Sequence, residues 1–180
     1  MIVLGIDPGT RHTGYGVVEI EGRKETALDY GAVEMSRRMD HTLRLERIYE
    51  TVLGIIDSYH PDVCAVEMPV YGKNAQSMLK LGRAQAAVML AATHRQVPVT
   101  EYTPKEVKKS VVGNGNAAKE QVWFMLKAIL NLTDERGLDA SDALGVALCH
   151  AHRVNQVGAG SHKNWKSFVE ANPERVKSNR

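Results

Sequence analysis

The chain opens on Ile2-Val3-Leu4-Gly5-Ile6-Asp7-Pro8-Gly9-Thr10, a β-branched apolar run that ends in one acid and a turn. Runs rich in valine and isoleucine favour strands, and proline and glycine after the acid favour a tight turn. A second strand is predicted over residues 14–20 and a third within residues 26–34. The short connections between the three strands indicate an antiparallel meander.

Helices and strands alternate in the rest of the chain. Apolar residues at steps of three and four predict a helix over residues 41–59, which Pro61 is expected to end. The further predictions are a strand over Asp62–Glu67, a helix over 75–95, a strand over Val97–Glu101, a helix starting at Thr103-Pro104, a break at Gly113–Gly115, and helices over 117–131 and 139–153. This order resembles the ribonuclease-H-like arrangement, an α/β fold with a mixed five-stranded sheet flanked by helices.

Length and composition predict a single globular domain. The 180 residues carry a net charge of +2 and are 43% hydrophobic. We assign the domain to residues 1–153, and a linker with a basic tail to residues 154–180. The small positive charge allows a polyanionic partner without demanding one. The sequence shows no membrane-spanning run and no signal peptide, so we expect a cytoplasmic protein without a membrane partner.

Four acids point to a metal site. Asp7 and Glu67 each end a predicted buried strand, where open α/β sheets place their sites. Asp139 and Asp142 share one face at the start of the last helix. Each acid alone has a plain structural explanation, as a turn residue, a helix cap or a first-turn acid. Four carboxylates placed together repel one another unless cations neutralise them. Such a group can hold two Mg²⁺ ions about 4 Å apart, which suits in-line attack on a phosphodiester.

Two other features bear on assembly and redox state. The helix over 75–95 is apolar around most of its circumference after Ala84. A helix of this kind is expected to pack both on the sheet and on a second copy of the chain, and Ala87 and Ala91 lie in the contact between copies if this face forms it. Cys64 and Cys149 are isolated in sequence and are expected to be buried thiols.

Four segments together resemble the RuvC-type Holliday-junction resolvases of bacterial recombination. The resemblance covers roughly residues 1–153 and is specific because all four segments occur in the same order. The segments are Leu4–Gly16, Glu67–Ala84 with Lys73-Asn74 and Leu79-Lys80-Leu81-Gly82-Arg83-Ala84, Val107–Gly115, and Asp139-Ala140-Ser141-Asp142-Ala143-Leu144.

The resemblance implies a homodimeric, Mg²⁺-dependent endodeoxyribonuclease that resolves four-way DNA junctions by paired symmetric nicks during recombination and repair. It implies two Mg²⁺ ions per site, for which Mn²⁺ is expected to substitute, and cooperation with a branch-migration helicase of the RuvA and RuvB type. It assigns catalysis and metal binding to the four acids. It also assigns DNA contacts to Lys108, Lys119, Lys73 and Asn74.

The chain departs from the family pattern after the glutamate. Many members carry an aromatic residue there that stacks on bases opened at the crossover, whereas this chain has Val70 followed by Tyr71. Tyr71 is expected either to stack on a base or to pack on the rim of the site. The tail after residue 153 has no counterpart in the pattern.

Two other functions fit parts of the sequence. The Asp7–Thr10 turn is similar to the phosphate-binding turn of actin-like ATPases and sugar kinases, but the chain lacks their second phosphate loop and second domain. A junction-binding scaffold with an inactive site is the non-enzymatic alternative. The presence of all four acids argues against it.

Overall fold

The computed structural model describes residues 1–70, 72, 74–133 and 138–158, with residues 138–139 and 155–158 described by their backbone alone. Strands and helices alternate much as the sequence predicts. In chain order the elements are β1 (Ile2–Asp7), β2 (His12–Glu21), β3 (Lys24–Glu34), α1 (His41–Tyr59), β4 (Val63–Glu67), α2 (Ala75–His94), β5 (Val99–Tyr102), α3 (Pro104–Val112), α4 (Lys119–Leu130) and α5 (Leu138–Gly158).

The strands form one mixed sheet in the order β3-β2-β1-β4-β5. β1 pairs antiparallel with β2, and β2 pairs antiparallel with β3, which confirms the predicted meander. β4 runs parallel to β1 and to β5. The predicted five-stranded mixed sheet is therefore confirmed, with β1 at its centre.

Helices cover both faces of the sheet. Side chains alternate along β1, so Val3 belongs to the core shared with α3, α4 and α5, while Leu4 and Ile6 belong to the core shared with α1 and α2. All three side chains are fully buried. A central strand covered on both faces is apolar along its length, which explains the run that opens the chain.

The helix ends follow from their capping residues. α1 has the predicted bounds, and Asp40 caps it by accepting a hydrogen bond from the Thr42 amide at 3.0 Å. His60 ends α1 in the left-handed conformation, with φ of 46°, just before Pro61. α3 begins with a capping box between Thr103 and Glu106, as the Thr-Pro pair predicts.

Several boundaries differ from the sequence prediction, most of them by one or two residues. β2 starts at His12 because its pairing with β3 continues to Glu34, beyond the apolar run. α5 extends to Gly158, which makes the first residues of the predicted linker and tail helical. The remainder of the tail lies outside the described residues, and the division of the chain at residue 153 stays a prediction.

Cys64 and Cys149 are buried free thiols, as predicted. Burial raises the pKa of Cys64 to about 12, which keeps that thiol protonated and unreactive. Separately, none of the helices within the described ranges is both long and apolar enough to cross a bilayer.

The burial of the inner face of α2 contradicts the predicted contact between copies. Ala87 and Ala91 are only 8% and 0% exposed and pack in the core with α1 and the sheet, so their assignment to that contact is wrong. Small side chains let α2 lie close to its neighbours, and the sequence pattern does not reveal which of two apolar faces turns inward.

The outer face of α2 carries a different set of residues. Leu79 and Leu90 are 62% and 63% exposed. Exposed positions three or four residues apart form what we term the α2 stripe: Leu79, Gly82, Arg83, Ala86 and Leu90. An apolar groove of about 750 Å³ runs along the first half of this stripe, between Gly72 and Ala86.

Candidate active site

Two of the predicted acids stand at the ends of neighbouring parallel strands. Ile6 of β1 is in register with Val66 of β4. Asp7 and Glu67, the next residue in each strand, therefore lie side by side at the carboxyl edge of the sheet, and both are partly buried. This edge is where α/β proteins assemble their functional groups.

The third described acid comes from α5, which crosses the sheet over β1. A Cβ atom on Gly5 would collide with the Ala143 carbonyl oxygen and would lie 2.8 Å from the Ala147 amide nitrogen. Glycine at this position lets the backbone of α5 approach β1 more closely than any other residue allows. The close approach fixes the helical turn that carries Asp142 beside the ends of β1 and β4.

Sequence reasoning missed this glycine contact, although a signal was present. Gly5 lies directly opposite Gly16 across the β1–β2 pair. A Cβ atom on Gly16 would lie 2.8 Å from Cδ2 of Leu144 on α5. Two opposed glycines inside predicted strands mark a place where another element approaches the sheet closely.

The three acids interact electrostatically. Loss of solvent raises the pKa of Glu67 to about 8, and repulsion from Asp7 and Asp142 adds to the rise. Lys119 and Lys108 act in the opposite direction. In the absence of a cation, Glu67 therefore keeps its proton at neutral pH, and additional positive charge at this edge would release it.

Both predicted lysines lie at this edge, with different partners. The Lys119 ammonium donates to Oδ2 of Asp142 at 2.8 Å. The Lys108 ammonium donates to the Ala117 carbonyl oxygen, also at 2.8 Å. Lys119 thus contacts an acid of the site directly. Lys108 holds the segment that leads into α4, the helix that begins with Lys119.

A cavity of about 240 Å³ opens between these groups. Glu67, Asp142 and the two lysines supply its polar wall, and the apolar wall is Val70, Pro104, Val107 and Val122. Val70 is 67% exposed at this cavity. The position where the family pattern has an aromatic residue therefore borders the acids in this chain, with an aliphatic side chain in place of a ring.

The other predicted site residues are Asp139, Tyr71, Lys73 and Asn74, of which the side chain of Asn74 alone is described. Asp139 lies on α5 one turn before Asp142, but its side chain lies outside the described residues, as do Tyr71 and Lys73 entirely. Asn74 caps α2, and its side-chain oxygen accepts a hydrogen bond from the Ser77 amide at 3.2 Å. That bond gives Asn74 a structural role, and its predicted DNA contact stays a prediction.

The carboxylate oxygens of Asp7, Glu67 and Asp142 are chemically suited to bind a hard divalent cation. Carboxylate oxygens are the ligands that Mg²⁺ prefers, and burial together with repulsion from Asp7 and Asp142 raises the pKa of Glu67, which a bound cation would offset. Among the described side chains, no group of three such donors lies close enough together to hold one ion. One oxygen of Asp142 is engaged by Lys119 instead.

The mixed five-stranded sheet, with acids at the ends of adjacent strands and on a helix that crosses them, places the chain in the ribonuclease-H-like class. The comparisons with known proteins narrow this class. The family model described as Crossover junction endodeoxyribonuclease RuvC matches residues 3–150. The Salinibacter ruber protein of the same description is 52% identical over 177 residues, covering 98% of this chain and 99% of its own. The chain belongs to the RuvC family of crossover junction endodeoxyribonucleases.

Similarity to solved structures supports the assignment to this family. The chain is similar to Thermus thermophilus RuvC, with a TM-score of 0.80 and 37% identity over 87% of this chain and 97% of the other. It is equally similar to T. thermophilus RuvC in complex with a Holliday junction substrate, with a TM-score of 0.82 and 36% identity over 87% and 96% of the two chains. The predicted ribonuclease-H-like fold is confirmed.

Proposed function

We propose that this chain resolves four-way DNA junctions by hydrolysing one phosphodiester on each of two opposed strands, with Mg²⁺ as cofactor. The observation that carries the proposal is the convergence of Asp7, Glu67 and Asp142 at one edge of the sheet, next to two lysines. The similar T. thermophilus protein has been solved with a Holliday junction substrate, and this supports the same substrate class here.

Each acid has a distinct place in the proposed chemistry. Asp7 and Glu67 offer oxygens from two paired strands, Asp142 offers one from α5, and the family resemblance assigns Asp139 to the same set. These oxygens would hold the divalent ions, whose chemistry would be the activation of a water and the neutralisation of the leaving 3′-oxygen. The paired strands keep the distance between Asp7 and Glu67 fixed, so the attacking and leaving groups meet a site that needs little reorganisation.

Paired nicks require two copies of the site related by a two-fold axis, so we propose a homodimer. The α2 stripe is the apolar surface offered for the contact. Leu79 and Leu90, which lie about three turns apart on the same helix, are too exposed to serve the core of their own chain. Cooperation with a RuvA- and RuvB-type helicase and a cytoplasmic location follow from family membership and belong to the same proposal.

A side-by-side nuclease assay tests the proposed activity. With Mg²⁺, the purified full chain should cut a synthetic four-way junction at symmetric positions on two opposed strands and leave a linear duplex of the same sequence intact. Mn²⁺ should support the same products. Equal cutting of both substrates would contradict junction specificity, whereas binding without cutting would identify an inactive scaffold. ATP hydrolysis without cutting would favour the kinase-like alternative.

The two lysines should differ in their effects on cutting. Lys119→Ala is expected to lower the single-turnover cutting rate by about 100-fold, because a charge that meets developing negative charge acts mainly in the transition state. Lys108→Ala should lower it less, since Lys108 contacts the Ala117 carbonyl and positions the start of α4. Junction binding, measured in Ca²⁺, should change little in either variant.

Lys109→Ala is the matched control for both variants. Lys109 lies on the same helix as Lys108 but borders a separate cavity with Glu106 and Arg153. An unchanged single-turnover rate for Lys119→Ala would show that Lys119 does not stabilise the transition state and at most binds a phosphate. If the control lost as much activity as Lys119→Ala, the effect would reflect the charge of the whole surface.

A further inference from the structure

The guanidinium of Arg44, on the first turn of α1, binds three backbone carbonyls at the edge of the active site. Its Nε donates to Met39 at 3.0 Å, Nη1 to Thr10 at 3.3 Å and Nη2 to Arg37 at 2.9 Å. Thr10 belongs to the turn that follows Asp7, while Met39 and Arg37 belong to the β3–α1 loop. Arg44 therefore ties the β3–α1 loop to the turn that carries the first catalytic acid.

The turn after Asp7 is also fixed from within. The Thr13 hydroxyl, which is buried, donates to the Gly9 carbonyl at 2.9 Å. The Met35 amide donates to the Arg11 carbonyl at 2.8 Å. Together with Arg44, these bonds make one rigid unit of the β1–β2 turn and the β3–α1 loop, without contacting the reacting groups.

This unit presents three arginine side chains, which we term the arginine rim: Arg11, Arg37 and Arg38. All three are exposed. Within the described part of the chain, no carboxylate forms an ion pair with any of them. The neighbouring acid Asp40 instead accepts hydrogen bonds from Thr42. The rim is thus a patch of unneutralised positive charge held in place by the fold.

The position of the rim relates it to the substrate. Asp7 ends the central strand, and Lys108 and Lys119 line a cavity with Glu67 of β4 and with Pro104, which follows β5. The arginine rim lies on the β2–β3 side of Asp7, at the same edge of the sheet. Positive charge therefore flanks the acids on both sides, which suits a polyanion that crosses the site and continues past it.

We propose that the arginine rim binds backbone phosphates of a duplex arm of the junction, on the opposite side of the cut site from Lys108 and Lys119. This inference rests on the proposed junction-cutting function. Arginine forks match phosphate oxygens, and three of them on a fixed loop can bind one arm without reading its sequence. Arg44 is a positioning residue, because it acts through the loop and not on the DNA.

The test measures junction affinity in Ca²⁺ over a series of salt concentrations. The Arg37→Gln/Arg38→Gln double variant should bind about tenfold more weakly at about 0.1 M salt, and its salt slope should fall by about two, because two phosphates are no longer neutralised. At saturating enzyme with Mg²⁺, its single-turnover cutting rate should stay at the wild-type value, since neither residue contacts the reacting atoms.

The matched control is Arg23→Gln/Lys24→Gln, which removes the same charge at the β2–β3 turn, at the opposite end of the sheet. Arg44→Ala tests positioning in a double-mutant cycle. It should weaken binding in the wild-type background and add nothing to the Arg37→Gln/Arg38→Gln variant, whereas a purely structural defect would appear equally in both backgrounds.

The outcomes separate this inference from the proposed function. If the wild-type chain cuts junctions and the rim variant keeps its affinity and salt slope, the rim is not a DNA contact. The same conclusion holds if the control pair loses as much affinity as the rim pair. If the wild-type chain neither binds nor cuts junctions, the proposed function fails, and the rim proposal fails with it.

Discussion

Exchange of Asp7, Glu67 or Asp142 for the matching amide is expected to lower junction cutting by at least about 1,000-fold, or about 4 kcal/mol of transition-state stabilisation. Each change preserves the shape of the side chain and removes one ligand charge from the edge of the sheet. Junction binding in Ca²⁺ should stay close to wild type, because Ca²⁺ tolerates looser geometry and the phosphate contacts are untouched. Single-turnover cutting paired with a binding titration measures both quantities.

Glu67→Gln has a second expected effect that does not depend on activity. The folded-state pKa of Glu67 is about 8, above its usual value, so the folded chain keeps a proton that the unfolded chain loses. Without a divalent ion, wild-type stability should fall as pH rises from about 4.5 to 8. The variant lacks this decrease and should melt at a higher temperature than wild type at pH 9, with the difference shrinking towards pH 4.

These outcomes can also refute the proposed site. Wild-type cutting by any of the three amide variants would remove that residue from the mechanism. A melting temperature of Glu67→Gln that does not exceed wild type at pH 9 would contradict the raised pKa of Glu67 in the folded chain. Added Mg²⁺ should raise the wild-type melting temperature more than that of the amide variants, since an ion that binds only the folded state stabilises it.

The second large effect concerns the α2 stripe. Leu79→Glu/Leu90→Glu should yield a monomer that loses paired nicking by at least about 100-fold, because two opposed cuts need two sites held by one axis. Both side chains are mostly exposed within the chain, so the substitution should leave the fold intact. Sedimentation measures the assembly, and a supercoiled plasmid carrying an extruded junction distinguishes single from paired nicks.

Phe124→Glu is the control for this experiment. Phe124 is 69% exposed on α4, away from the α2 stripe, and its replacement removes a comparable apolar group. It should remain dimeric. A dimer that persists in Leu79→Glu/Leu90→Glu would place the contact elsewhere. A glutamate at Ala87 or Ala91 would not serve as a test, because both residues lie in the core and the chain should unfold.

Local patterns predicted much of the fold. The bounds of α1 followed from apolar spacing and the stop before Pro61, and the start of α3 followed from Thr103-Pro104. Predictions failed where neighbours decide the outcome. The start of β2 depends on its pairing with β3. The inward face of α2 depends on which small side chains meet the sheet, and a periodicity alone cannot distinguish two apolar faces.

The site also combines features that local patterns predict with features that depend on neighbouring elements. Asp7 and Glu67 were predictable neighbours because parallel strands align the residues that follow them. The Lys119–Asp142 ion pair joins residues 23 positions apart in different helices, and the clamp of Arg44 joins α1 to a turn 34 positions away. Contacts of that range depend on how helices dock, and no spacing in the sequence encodes them.

The contact between Gly5 and α5 also governs when the enzyme can first act during its own synthesis. Gly5 leaves the ribosome well before Ala143, its partner in this contact. A nascent chain that already carries the sheet still lacks Asp142, and the acids can gather only after α5 has emerged and docked. Under the proposed function, a nascent chain therefore stays inactive until α5 has been translated.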